Sequence, residues 1–149
     1  MDIHDITVVI NTFQSHDKIE YCIKSIHPKI DILIVENSDN TEFQKKIEKK
    51  FTNVKCFLTG ENLGYAKGNN FGLSKVKTTF ALILNPDATL EKNTIINFFD
   101  VIKKIEEFAI LGPAKQDELS LIDENKNKED IFEVNYLKGF AMFLNLKEF

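Results

Sequence analysis

The chain has 149 residues, 43% of them hydrophobic and 28% charged, with 13 Phe, no Trp and a formal net charge of −4. That length suggests one domain with a substantial core, and the composition is that of a globular chain rather than a disordered one. A mildly acidic chain has no global field for DNA or RNA, which argues against nucleic-acid binding.

The elements alternate along the chain. ITVVIN (Ile6–Asn11) is a continuous β-branched run, the signature of a strand buried on both faces. Ser15–Ile26 follows as a helix with Ile19, Cys22, Ile23 and Ile26 at helical spacing and Ser15 placed as N-cap. Asp31–Glu36 reads as a second buried strand, and Thr41–Phe51 as a second helix whose Thr41 and Gln44 fit a capping box. Val54–Thr59 is a third strand. Gly64–Val76 reads as a Gly-rich turn opening a helix, and Phe80–Leu84 as the fourth strand. Asn93–Phe108 carries Ile95, Phe98, Phe99, Ile102 and Ile105 on one face of a helix. Ala109–Pro113 is a short strand ended by Gly and Pro. Lys115–Asp130 is polar and reads as a loop or weak hairpin, and Phe140–Asn145 as a last buried strand. The Lys-rich stretches KKIEKK and VIKKIEE alternate with Glu and read as solvated helix faces.

Repeated strand–helix–strand units predict a mostly parallel, doubly wound α/β sheet with helices on both faces and right-handed crossovers. Ligands of such sheets bind outside the carboxyl ends of the strands. Asn11, Glu36-Asn37 and Asn85-Pro86-Asp87 therefore belong on one rim.

Cys22 and Cys56 have no CxxC spacing and read as two buried thiols of a reducing compartment. His4, His16 and His27 do not cluster with them, so no zinc site is expected. The N-terminus lacks the pattern of a signal peptide, and no apolar run approaches the ~20 residues that cross a bilayer. The expected location is cytoplasmic, with peripheral association at the inner face of the membrane left open.

Four segments offer chemistry. Pro86 cannot extend a ladder, so the fourth strand ends there and Asp87 projects beyond it. One carboxylate with diphosphate oxygens and water is an ordinary way to hold Mg²⁺ or Mn²⁺, although Asn-Pro-Asp alone reads more simply as a turn. ENLGYAKGNNFG (Glu61–Gly72) spaces Gly64, Gly68 and Gly72 by four, which favours close helix–sheet approach. It matches neither GxGxxG nor GxxxxGK[ST], and glycine packing with Asn caps is an equal reading. In VENSDN (Val35–Asn40), Glu36 could accept from a base N–H, while Ser38 or Asp39 is better read as capping the next helix. Thr12 follows Asn11 and could touch a nucleotide edge.

Taken in order, NTF, VENS, NLGYAKGNNFGL, LILNPDATL and YLKGFAMFLN resemble the family 2 glycosyltransferases of the A-type fold, and in particular their rhamnosyltransferase-like branch. The resemblance runs over nearly the whole chain. Glu36 stands where such enzymes usually carry Asp, and Asn85 stands in the first acidic position of an Asp-x-Asp motif whose last position is Asp87. The resemblance implies transferase chemistry on a UDP- or dTDP-sugar: inverting transfer to a glycan or lipid-linked acceptor, in polysaccharide biosynthesis. It places Thr12 and Phe13 beside the base and Glu36 in contact with it. It puts Asn62, Gly64 and Asn70 on the ribose and diphosphate side, Asn85 beside the sugar nucleotide and Asp87 on the cation. Lys67 is the one nearby positive group. It also implies that residues 1–149 form a single donor-binding domain without the acceptor part, which normally supplies the catalytic base. Glu148 lies before that missing motif. On this reading the chain alone transfers sugar poorly, or serves as a non-catalytic nucleotide-sugar-binding module that could self-associate. Asp117, Glu118 and Glu148 are the first carboxylates to mutate should it prove active.

Overall fold

A computed structural model describes residues 2–105, 107–113, 131 and 133–149. The expected loop at Lys115–Asp130, with Asp117 and Glu118, lies outside the described residues. After a 3₁₀ turn at Ile3–Asp5 come β1 (Ile6–Thr12), α1 (His16–Ser25), β2 (Asp31–Glu36), α2 (Thr41–Lys50), β3 (Val54–Leu58), α3 (Gly64–Leu73) and β4 (Phe80–Leu84). Then follow α4 (Thr94–Ile102), β5 (Ile110–Leu111), β6 (Ala141–Asn145) and a 3₁₀ turn at Leu146–Glu148.

The strands form one sheet in the order β3-β2-β1-β4-β6-β5. β1 pairs in parallel with β2 and with β4, and β2 in parallel with β3. β6 runs against both β4 and β5. The sheet is thus mostly parallel, as the alternating pattern predicts. Chain order runs outward from β1 to β3 on one side and restarts at β4 on the other. The gap between the carboxyl ends of β1 and β4 is therefore the topological switch point, where open α/β sheets leave a crevice.

Alternation along each strand sorts the helices onto the two faces. Ile6, Val8 and Ile10 of β1 join the larger core with residues of α1, α2 and α4. Val9, Ile83 and Leu144 point the other way and pack with Leu73 and Val76. Helices cover both faces, three on one and α3 on the other. Gly68 and Gly72 bring α3 close: a Cβ on Gly72 would lie 2.5 Å from Val9 Cγ1, and one on Gly68 would lie 2.5 Å from Asn11 Oδ1. The third glycine of that spacing works differently. Gly64 has open space around its Cα but a φ of +75°, a backbone conformation that favours glycine.

Local details depart from the expectations. The cap of α2 is Asn40, whose side chain accepts from Phe43 N at 2.9 Å. Gln44 cannot close a capping box, because its amide donates to the Cys56 carbonyl at 2.7 Å. Ser15 precedes α1 without capping it; its hydroxyl turns back to the Phe13 carbonyl at 3.1 Å. The fourth helix ends at Ile102 rather than Phe108. Phe108 reaches the core from an irregular segment and stacks on Phe80 with ring centroids 6.2 Å apart. Among the described residues no helix is long and apolar enough to cross a membrane.

Candidate functional site

β1 and β2 end side by side, with Thr12 in register with Glu36. Beyond them Asn37, buried and polar, ties three elements together. Its backbone N–H donates to the Thr12 carbonyl at 2.9 Å, its amide donates to Asn11 Oδ1, and its Oδ1 accepts from Leu63 N at 3.1 Å. Asn11 completes the link by donating to the carbonyls of Gly64 at 3.2 Å and Tyr65 at 3.0 Å. Every side-chain polar atom of Asn11 and Asn37 has a partner, so the entry to α3 is fixed to the carboxyl edge of the sheet. Tyr65 extends the frame: its hydroxyl donates to the Gly139 carbonyl ahead of β6.

A cleft of about 480 Å³ opens at the switch point, lined by Asn11 from β1, Gln14 and Ser15 ahead of α1, Asp17 and Lys18 in its first turn, Tyr65, and Asn85-Pro86-Asp87. Gln14 has φ +54°, the one left-handed non-glycine among the described residues. Such strain persists where surrounding contacts impose it, and it clusters at functional sites. The 85–87 turn is held from two sides. Asn85 N donates to the Phe140 carbonyl at 2.9 Å, and its carbonyl accepts from Ala88 N at 3.1 Å and from the Cys22 thiol at 3.6 Å. Ser25 of α1 steadies the following residues by accepting from Leu90 N at 2.9 Å.

Asp87 is exposed and makes no hydrogen bond or ion pair with the described residues. The described residues contain no cluster of three His, Cys, Asp or Glu side chains that could hold a metal. One free carboxylate on a cleft fits a cation that takes most of its oxygens from a ligand and water. Asp17 lines the same cleft from α1, and Lys18 adds a positive group there.

The other expected residues divide between two places. Thr12 is buried and its hydroxyl has no hydrogen-bond partner among the described residues. Phe13 beside it is 42% exposed. Asn62 is exposed and accepts from Gly64 N at 2.9 Å, which shapes the turn into α3. Lys67 and Asn70 are exposed on α3, whereas Asn69 is buried. Glu36 stands on the expected rim but is enclosed: it is 1% exposed, Oε1 accepts from the Ser38 hydroxyl at 2.6 Å, and Oε2 lies 3.1 Å from His16 Nε2. A direct contact from Glu36 to a ligand requires one of these partners to leave. Asn37, expected on the rim beside Glu36, serves as its hub, whereas Tyr65 and Asp17 line the cleft without having been singled out as site residues.

The two cysteines are inert components of the core. Burial pushes the Cys22 thiol up to about 12, with the nearby Asp87 charge adding to it. Burial likewise pushes Cys56 up to about 12, with Glu36 and Glu48 contributing. Thiolate is the reactive species, so neither residue should react with a thiol reagent at pH 8 in the native protein. Both should react in denaturant, and a colorimetric thiol count before and after unfolding checks this.

Comparison with known proteins agrees with the fold and the order of motifs. The model of the family Glycosyl transferase family 2 matches residues 7–144. The low-salt glycan biosynthesis hexosyltransferase Agl10 of Haloferax volcanii is 25% identical over 113 residues, which are 73% of this chain and 36% of that protein. Among solved structures, the mannosyltransferase PcManGT of Pyrobaculum calidifontis in complex with GDP-Man and Mn²⁺ superposes with a TM-score of 0.70 at 14% identity, over 96% of this chain and 45% of that one. TarS 1-349 of S. aureus in complex with UDP-GlcNAc gives a TM-score of 0.68 at 15% identity, over 96% and 46% respectively. The chain spans less than half the length of each of these relatives. With a parallel sheet whose switch-point cleft carries Asn85-Pro86-Asp87, and a family match over almost its whole length, this chain belongs to glycosyl transferase family 2.

Proposed function

We propose that the chain is the donor-binding part of an inverting glycosyltransferase. It takes a UDP- or dTDP-sugar with Mg²⁺ or Mn²⁺ on Asp87, for transfer to a glycan or lipid-linked acceptor. The observation that carries this reading is the cleft between β1 and β4, where an unpaired carboxylate faces Asn11 and Tyr65. Solved structures of this fold, TarS with UDP-GlcNAc and PcManGT with GDP-Man and Mn²⁺, support a nucleotide-sugar and a divalent cation. In this reading Thr12 and Phe13 border the base, Asn62, Gly64 and Asn70 shape the ribose and diphosphate side, Asn85 lies by the sugar, and Lys67 offers positive charge to the diphosphate. A bound cation would offset the charge that develops on the departing diphosphate. The chain's own part is to orient the donor and keep Asp87 clear of competing partners. The rhamnosyltransferase-like branch rests on NLGYAKGNNFGL and LNPDA.

Calorimetric titration with UDP, dTDP and GDP, each with and without Mn²⁺, tests the reading. The expected result is binding that strengthens with the cation. No binding of any nucleotide diphosphate in the presence of Mn²⁺ would overturn it.

A further inference from the structure

Two consecutive carbonyls lead the chain into β6, and cleft-lining residues hold both. The Gly139 carbonyl accepts from the Tyr65 hydroxyl, and the Phe140 carbonyl accepts from Asn85 N at 2.9 Å. Tyr65 and Asn85 both line the switch-point cleft. β6 runs antiparallel to β4 with Ala141 in register with Leu84, so its start lies at the carboxyl rim. Whatever moves the Tyr65 ring therefore reaches the start of β6 through that hydrogen bond.

Tyr65 is placed to turn about a fixed point. Its backbone carbonyl accepts from the Asn11 amide at 3.0 Å, which pins it to the rim, while 48% of the residue is exposed. The end of the phenol sits against Gly139: a Cβ there would lie 3.0 Å from Oη and 3.4 Å from Cζ. A second place for the hydroxyl exists one helical turn on. Asn69 shares a side of α3 with Tyr65, and helical side chains lean toward the N-terminus. Asn69 is 3% exposed, and neither its amide nitrogen nor its amide oxygen has a hydrogen-bond partner among the described residues. Burial pushes the Tyr65 phenol up from its ordinary pKa and the Asn69 amide pulls it partly back, so the two groups are within reach of each other. A buried amide left unpaired is costly. Swinging the hydroxyl to Asn69 trades one hydrogen bond for another and satisfies part of that amide, while the half-buried Gly139 carbonyl turns to water. The two positions are therefore close in free energy.

Resting on the nucleotide-sugar reading above, we propose that Tyr65 is a two-position latch, a positioning residue that couples occupancy of the cleft to the start of β6. One position fastens Gly139, as in this structure. The other engages Asn69 and frees the entry to β6. A nucleotide diphosphate in the cleft favours the second, because it crowds the exposed ring in the position over Gly139 and not in the other. That difference in contact is what lets a ligand shift such a balance.

Hydrogen exchange of the backbone amides from Ala141 to Phe143 follows the start of β6. In the wild type, adding whichever of UDP, dTDP and GDP binds with Mn²⁺ should speed their exchange about two- to tenfold, the range set by loss of one hydrogen bond. Tyr65→Phe and Gly139→Ala open the latch from opposite sides. Gly139 does not have a positive φ, so the alanine is opposed only by its contacts, the phenol being the nearest. Both variants should exchange at the faster rate without ligand and respond no further to it. If Gly139→Ala fails to fold, Tyr65→Phe, which deletes one oxygen, carries the test. Asn69→Leu keeps the volume and removes the second position. It should exchange slowly with and without ligand, and its urea midpoint should rise because an unpaired buried amide is gone. A wild type that binds none of the three diphosphates removes the underlying reading. Binding with Mn²⁺ and no change at the start of β6 overturns this proposal alone, as does a ligand response kept in Tyr65→Phe or Asn69→Leu.

Discussion

Asp87→Ala should abolish the contribution of Mn²⁺ to nucleotide-diphosphate affinity while leaving the fold intact. The two halves of this expectation have separate causes. Asp87 is exposed and unpaired among the described residues, so its removal breaks no packing and should change stability by no more than about 0.5 kcal/mol. At the same time it is the one carboxylate of the Asn85-Pro86-Asp87 turn. A charge-assisted contact is worth roughly 1.5–3 kcal/mol, or about tenfold in affinity and more. Asp87→Asn keeps the shape and loses the anionic oxygen that hard cations prefer, so it should be nearly as damaging. Asp17 lines the same cleft from α1, which makes Asp17→Asn the informative comparison. Titration of all three variants with UDP, with and without Mn²⁺, separates the cases. Undiminished cation dependence in both Asp87 variants would show that the metal sits elsewhere. An independent sign is available in Cys22, whose thiol is raised partly by the Asp87 charge. In Asp87→Ala that thiol should ionise at a lower pH than in the wild type, though still above its ordinary 9.0 because burial is the larger cause.

The parts legible in the sequence are those set by local pattern. β-branched runs such as ITVVIN and DILIVE specify strands buried on both faces, and their carboxyl ends follow from where Asn, Glu or Pro interrupts them. From there the switch-point rule brings Asn11 and Asp87 to one cleft. What stayed hidden depends on contacts between distant segments. The end of β2 puts Asn37 on the rim beside Glu36, but only the assembled sheet makes it the hub between Thr12, Asn11 and Leu63. His16 is a lone histidine by sequence, and its pairing with Glu36 comes from α1 returning over the end of β2. The length of α4 misled for a related reason. Ile105 and Phe108 continue a helical spacing, and burial does reward them, but from an irregular segment that packs against the same core. A hydrophobic pattern therefore records which residues are buried more securely than the backbone that delivers them.

Gly68→Ala and Gly72→Ala should separate the scaffold from the site. Each gains up to about 1 kcal/mol of helix propensity, and each places a methyl where no space exists. At Gly72 the new Cβ meets Val9 Cγ1 at 2.5 Å and Val35 Cγ2 at 3.0 Å. Both are stiff β-branched side chains in central strands, so relief must come from moving α3 off the sheet. Overpacking of this kind costs typically about 1–3 kcal/mol. The expected result is a lower urea midpoint, with nucleotide affinity retained in the fraction that is folded. At Gly68 the obstacle is Asn11 itself, with Oδ1, Nδ2 and Cγ at 2.5, 2.6 and 2.7 Å. That side chain is not a flexible end free to swing away. It is held by Asn37 and by the carbonyls of Gly64 and Tyr65, so displacing it leaves the buried Asn37 amide without that acceptor and detaches the start of α3 from the rim. Gly68→Ala should therefore lose both stability and nucleotide-diphosphate binding, even at temperatures where it remains folded. Equal retention of binding in the two variants would mean that the Asn11–Asn37 frame is only structural.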